Sequence, residues 1–195
     1  MMKRIFVLLL AVCLCLPLFS QAETEHALPE GYRLEAFDDF TLPVPSNGLV
    51  WRYDPETDDG WVAEIVYLDP EDPVFQPYMI IWRYPNNMSA YLRGVHPLDY
   101  GKTLTSAIVD SLKENGCTVA APRTVYGMCR GDVYYTMCTM RIEAGSWFAE
   151  EAHDLWVYQR YYGTYEMGTI YFEIYAPTRA HADAIIRDVE QAVFR

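Results

Sequence analysis

Hydrophobic positions along the chain recur with two different periods, and the changes of period divide it into elements. Tyr32–Ala36 and Phe40–Val44 read as short extended segments around a turn at Asp38-Asp39, the second closed by Pro43 and Pro45. Trp61–Leu68 and Tyr78–Tyr84 are rich in Val, Ile, Trp and Tyr and are bounded by Asp-Pro and Pro-Asn, which predicts two strands. The period then lengthens. In DYGKTLTSAIVDSLKENG, Leu104, Ile108 and Leu112 recur every four residues with Ala107 beside them, and Asn115-Gly116 supply a stop that tolerates the left-handed conformation. Period two returns in Val119–Met128 and Val133–Ile142, joined at Arg130-Gly131-Asp132, and in Asp154–Tyr162 and Thr169–Ala176, joined across GTYEMG. Pro177 ends the last strand and Thr178 is a natural helix cap. Ile185, Val189 and Val193 then predict the inward stripe of a closing helix, with Ala182 and Ala192 allowing close packing.

Strands, a helix, strand hairpins and a helix, in that order, predict an α+β fold: a mostly antiparallel sheet with helices packed on its faces. The short connections favour antiparallel neighbours.

The first residues change the picture of where this domain works. Lys3 and Arg4 precede an apolar run from Ile5 to Phe19, followed by Ser20-Gln21-Ala22, the pattern of a Sec-type signal peptide cut after Ala22. The run is too short for a membrane span of about 20 apolar residues. The expected layout is therefore a leader over 1–22 and one secreted or extracytoplasmic domain over 23–195, with no transmembrane segment left after cleavage. Loss of Lys3 and Arg4 lowers 15 basic residues to 13 against 27 acidic ones, a net charge of −14. Nucleic acid is excluded as a partner, since phosphate binding takes clustered Lys and Arg. Cys117, Cys129 and Cys138 remain, an odd set; they read as buried free thiols, with one internal disulfide as the alternative.

Two stretches carry a family likeness. FTLPVPSNGLVW, a strand ending in Pro-x-Pro and then a tryptophan, and the closing GTIYFEIYAPTRAHADAIIRDVEQAVF resemble the first and last elements of the PsbP-like superfamily, which includes small secreted bacterial proteins. The resemblance implies an α/β/α sandwich and a non-enzymatic binding or assembly role. The acidic stretch from Asp54 to Asp72 departs from that pattern.

Candidate chemistry is sparse. Asp54, Glu56, Asp58 and Asp59 suggest a weak calcium loop, but an EF-hand needs glycine at its sixth position and glutamate at its twelfth, and Asp59 and Ile65 stand there. DPETDDG reads more simply as an exposed hairpin connection with Asp59-Gly60 at the tight point. No serine lies in a Gly-x-Ser-x-Gly elbow, no glycine-rich phosphate loop occurs and no cofactor is implied. His153, in EEAHDLW, is the one histidine with neighbouring carboxylates; His181 is expected to face water and His96 to lie in a loop.

Aromatic density is the strongest signal. Strand alternation puts Trp156, Tyr158, Arg160 and Tyr162 on one face, and Tyr171, Glu173 and Tyr175 on a face opposite Ile170, Phe172 and Ile174. Trp156, Tyr158, Arg160, Tyr162, Tyr171 and Tyr175 are the candidate ligand-binding set, because tyrosine offers apolar area with a polar tip. The alternative is that both faces are covered and the tyrosines fill a wide interior. The expected function is a secreted, non-catalytic binding or assembly domain of the cell envelope with a protein or envelope partner. A small secreted hydrolase with an unrecognised site, or a weak calcium binder, is the alternative.

Overall fold

The alternating segments pair into two antiparallel sheets. A computed structural model describes residues 28–54, 60–70, 75–84, 96–129, 133–144, 154–164 and 168–194. Its strands are β1 (Tyr32–Ala36), β2 (Phe40–Pro45), β3 (Leu49–Arg52), β4 (Trp61–Val66), β5 (Tyr78–Tyr84), β6 (Val119–Cys129), β7 (Val133–Ile142), β8 (Leu155–Thr164), β9 (Gly168–Ala176) and β10 (Val193–Phe194). Two helices, α1 (Pro97–Glu114) and α2 (Arg179–Val189), complete the described elements. A seven-stranded sheet runs β3-β4-β5-β9-β8-β7-β6, and a three-stranded sheet runs β1-β2-β10. Every described pairing is antiparallel.

The large sheet separates two interiors. On one face Ile170, Phe172 and Ile174 of β9 and Ile81 of β5 meet Ala182, Ile185, Ile186 and Val189 of α2 and Phe40, Leu42 and Val44 of the small sheet. On the other, Met140, Ile142, Leu155 and Val157 meet Val109 of α1, with Leu104, Ile108 and Leu112 around it. Ala107, expected beside the inward stripe, is exposed: the helix instead turns Gly101, Thr105 and Val109 inward. A side chain at Gly101 would overlap Thr136 and Thr124, so glycine is what lets α1 lie this close to β6 and β7.

Both helix ends follow from local chemistry. His96, expected in a loop, is the N-cap of α1; its Nδ1 accepts from the Leu98 amide at 3.2 Å, and Pro97 occupies the first turn, where its missing N–H costs nothing. At the other end Gly116 has φ 82°, and the amides of Gly116 and Cys117 donate to Lys113 and Leu112 carbonyls, a Schellman closure. Thr178 caps α2 by accepting from the His181 amide at 3.2 Å. Val193 is not part of that helix's stripe: α2 stops at Val189, and Val193 is exposed in β10, paired with Thr41 of β2. Its two residues complete a sheet edge, which offsets the loss of another helical turn.

Cys117 and Cys138 are buried free thiols. Burial pushes the Cys138 thiol up to about 11, against the Thr105 hydroxyl bond that lowers it. Such a thiol is protonated and unreactive at neutral pH.

Candidate functional site

Strand order decides which aromatics meet. On the sheet face that carries α1, the helix lies chiefly over β6 and β7, and its apolar side shares one cluster with Leu155 and Val157 of β8, Tyr175 of β9, Tyr78 and Ile80 of β5, and Phe75. Across β3, β4, β5 and β9 the same face is built from three cross-strand rows. The first holds Trp61, Trp82, Tyr171 and Tyr161 in register across β4, β5, β9 and β8. Tyr53, just past β3, stacks on Trp61 at 4.5 Å, Trp61 on Trp82 at 5.3 Å, and Tyr161 on Tyr171 at 4.4 Å. The second row is Trp51, Glu64, Ile80 and Glu173. The third is Leu49, Val66, Tyr78 and Tyr175, in which Tyr78 stacks on Tyr175 at 4.8 Å.

Burial grades along these rows. Tyr161, Tyr171 and Tyr175 are buried, Trp61, Trp82, Tyr78 and Ile80 are half-buried, and at the sheet edge Leu49 and Trp51 are 45% and 46% exposed. The indole Nε1 atoms of Trp61 and Trp82 are inaccessible and have no hydrogen-bond partner among the described residues. A bulge at Trp61–Ala63 lets Trp61 and Ala63 point to opposite faces while both oppose β5.

Electrostatics on this surface are one-sided. Glu173 accepts from Gln159 at 2.7 Å, and its carboxylate, after burial, helps push the Tyr171 and Tyr175 phenols up. Burial, then the fields of Glu173 and Glu64, push the Tyr78 phenol up to about 12. Arg52 and Arg83, on the same strands, register with Ala63 and Ile170 and so point to the other face.

There they line a cavity of about 130 Å³ with Phe37, Asp39, Phe40 and Tyr53. Arg83 Nε lies 3.1 Å from Asp39 Oδ2, Arg52 donates to Glu35 at 2.6 Å, and its guanidinium sits 4.6 Å over the Phe37 ring. Burial works against ionisation of Glu35, but bonds from Arg33 and Arg52 prevail and lower its pKa. The cavity's charges answer one another. Their work is to latch the β1–β2 hairpin onto the large sheet.

The candidate set read from the sequence divides between the faces. Trp156, Tyr158, Arg160 and Tyr162 point toward α2. Tyr158 donates to Asp183 at 2.6 Å and Tyr162 to the Val189 carbonyl at 3.4 Å. Arg160 is 2% exposed, 3.7 Å over the Tyr135 ring and 2.9 Å from Glu190 Oε1. Tyr171 and Tyr175 belong to the opposite face. The six therefore share no surface, and all but half-buried Trp156 are buried, the filled-interior alternative. His181, expected to face water, is half-buried with Nε2 3.1 Å from Asp69. Glu56, Asp58, Asp59 and His153 lie outside the described residues; so does the Cys129 side chain. Asp54 is exposed at the end of β3. Among the described residues no three metal-ligating side chains come together, and no helix is long and apolar enough to cross a membrane.

Trp51, Tyr53, Glu64, Tyr78 and Trp82 were missed because no strand was expected at 49–52 and because β5–β9 pairing joins distant segments. Alternation of Trp51 and Tyr53 about Arg52 was the available signal for β3.

Two helices on antiparallel sheets, with one face closed and the other laid out as aromatic rows, define an α+β sandwich domain. The fold is PsbP-like. The chain matches the solution structure of cyanobacterial PsbP (CyanoP) from Synechocystis with a TM-score of 0.52 and 8% identity, over 85% of this chain and 93% of that one. It also matches LpqN, involved in cell envelope biogenesis of Mycobacterium tuberculosis, with a TM-score of 0.47 and 14% identity, over 86% of each chain. No protein-family model and no curated protein matches the sequence.

Proposed function

We propose that this chain is an extracytoplasmic, non-catalytic binding or assembly domain of the cell envelope, and that it holds a partner protein against the exposed β3–β4 edge of the half-face that β3, β4, β5 and β9 form. The observation that carries the proposal is the graded aromatic surface: rings stacked and buried at its inner end, and Trp51 and Leu49 exposed at its outer edge. Stacked rings present large apolar area that loses little side-chain freedom on binding, which is why Trp and Tyr anchor protein interfaces. The apolar run behind Lys3 and Arg4 supports export. A hydrolase drawing on a thiol gains nothing from Cys138, whose proton burial retains.

Photocrosslinking in the producing cell tests this. With p-benzoylphenylalanine in place of Trp51, one discrete adduct is expected; the same probe in place of Leu34, 53% exposed on the small sheet, forms none. Adducts from position 34 alone, or none from position 51, would overturn the proposal.

A further inference from the structure

Covering the half-face carries an electrostatic cost that limits what can cover it. Glu64 lies in the second row between Trp51 and Ile80, half-buried, and among the described residues no cation or hydrogen-bond donor meets its carboxylate. Glu173, two strands away, is answered by the Gln159 amide at 2.7 Å; Glu64 has no such donor among the described residues. No Lys or Arg stands among the β3, β4, β5 and β9 side chains described on this face. A partner that buries Trp51 and Leu49 also strips water from Glu64. A neutral apolar partner would leave an unpaired carboxylate stripped of water in its interface, which weakens binding.

Resting on the proposed function, we infer that the partner segment carries an arginine, whose guanidinium lies on the Trp51 indole and pairs with the Glu64 carboxylate. Arginine fits better than lysine for two physical reasons. Its planar, weakly hydrated cation stacks on an indole face, and its two parallel N–H groups match a carboxylate. A basic segment also suits a chain whose formal net charge is −12, because long-range attraction speeds its arrival. The β3–β4 edge is an open sheet surface, whereas the cavity described beside it opens among side chains of the other face, where Arg83 is paired with Asp39. An extended protein segment, lying flat across β3 and β4, suits such a surface better than a small amine, which needs enclosure.

The test is a titration of the full domain with a capped peptide of alternating Arg and Ser, followed by tryptophan emission, since Trp51, Trp61 and Trp82 are three of the five tryptophans. The matched Lys-Ser peptide serves as comparison. Saturable binding is expected, with the Arg peptide tighter, and Glu64→Gln should weaken it about tenfold or more. Trp51→Ala should erase the preference for Arg over Lys, and Glu114→Gln, an exposed acid at the end of α1, should change affinity less than about twofold. Equal losses from Glu64→Gln and Glu114→Gln would mean diffuse attraction to an acidic protein and would overturn the inference, as would absence of saturable binding. Continued crosslinking from position 51 with no arginine preference would sink the inference alone, leaving the proposed surface intact. Loss of both would sink the two together.

Discussion

The two faces of the seven-stranded sheet are made from the same kinds of residue but are covered to different extents. Toward α2 and the small sheet, aromatics are locked in from all sides: Phe172 meets Phe40 edge-on at 5.5 Å and Tyr162 at 5.6 Å, and Tyr162 meets Phe194 at 4.7 Å. Toward α1, the helix lies over β6 and β7 and its cluster reaches Tyr175 and Tyr78, whereas at the β3–β4 edge Leu49 and Trp51 stay about half exposed. The difference teaches that aromatic content on a strand does not by itself distinguish core from interface; what lies above it does.

That contrast breaks most sharply with Phe172→Ala. Phe172 is fully buried on the closed face, and its loss should destabilise the domain by about 4 kcal/mol in a denaturant titration, the usual cost of removing a buried ring. A cost below about 1 kcal/mol would mean that this face is not the principal core.

A second probe uses a buried acid on the closed face. Asp188 of α2 is 6% exposed, and burial raises its pKa to about 7 against the Arg187 charge and the Tyr32 hydroxyl bond that lower it. Tyr32 of β1 and Tyr67 just after β4 are the titratable groups facing it from other elements, with their phenols pushed up, by burial first and then by Asp188. Between the ordinary carboxylate value of 3.8 and about 7, the native state keeps a proton that the unfolded chain has released. Stability therefore falls as pH rises through that window. Asp188→Asn should flatten the fall and leave the variant the more stable protein at pH near 8, measured by melting across that range. An unchanged slope would show that Asp188 reaches water.

The smallest effect is expected at the exposed β3–β4 edge. Trp51→Ser removes a larger side chain than Phe172→Ala, yet should move stability by no more than about 0.5 kcal/mol, because its ring is already half in water. A loss approaching that of Phe172→Ala would place Trp51 in the core and remove the contrast.

Much of this was legible in the chain. Period two gave the strands of both C-terminal hairpins, and period four gave α1, because each of those signals is local. What was not legible depends on neighbours distant in sequence. The apolar side of α1 turns on Gly101, whose role is visible only once Thr124 and Thr136 lie beneath it. Tyr158 and Tyr171 look alike along their strands, but alternation and the β8–β9 register send them to opposite faces. Trp61 and Trp82 become neighbours only through β4–β5 pairing past a bulge. The final β10 escaped because two residues carry no period; it exists because β2 offers an edge.

Hydroxyl-radical footprinting of the domain, in its native compartment and after purification, tests the central claim most directly. Tyr126 and Met128, 45% and 56% exposed on β6, provide internal references on the same sheet. The account predicts that Leu49 and Trp51 are oxidised less in the native compartment than in the purified protein while Tyr126 and Met128 are unchanged. Equal oxidation of Leu49 and Trp51 in both settings would contradict it.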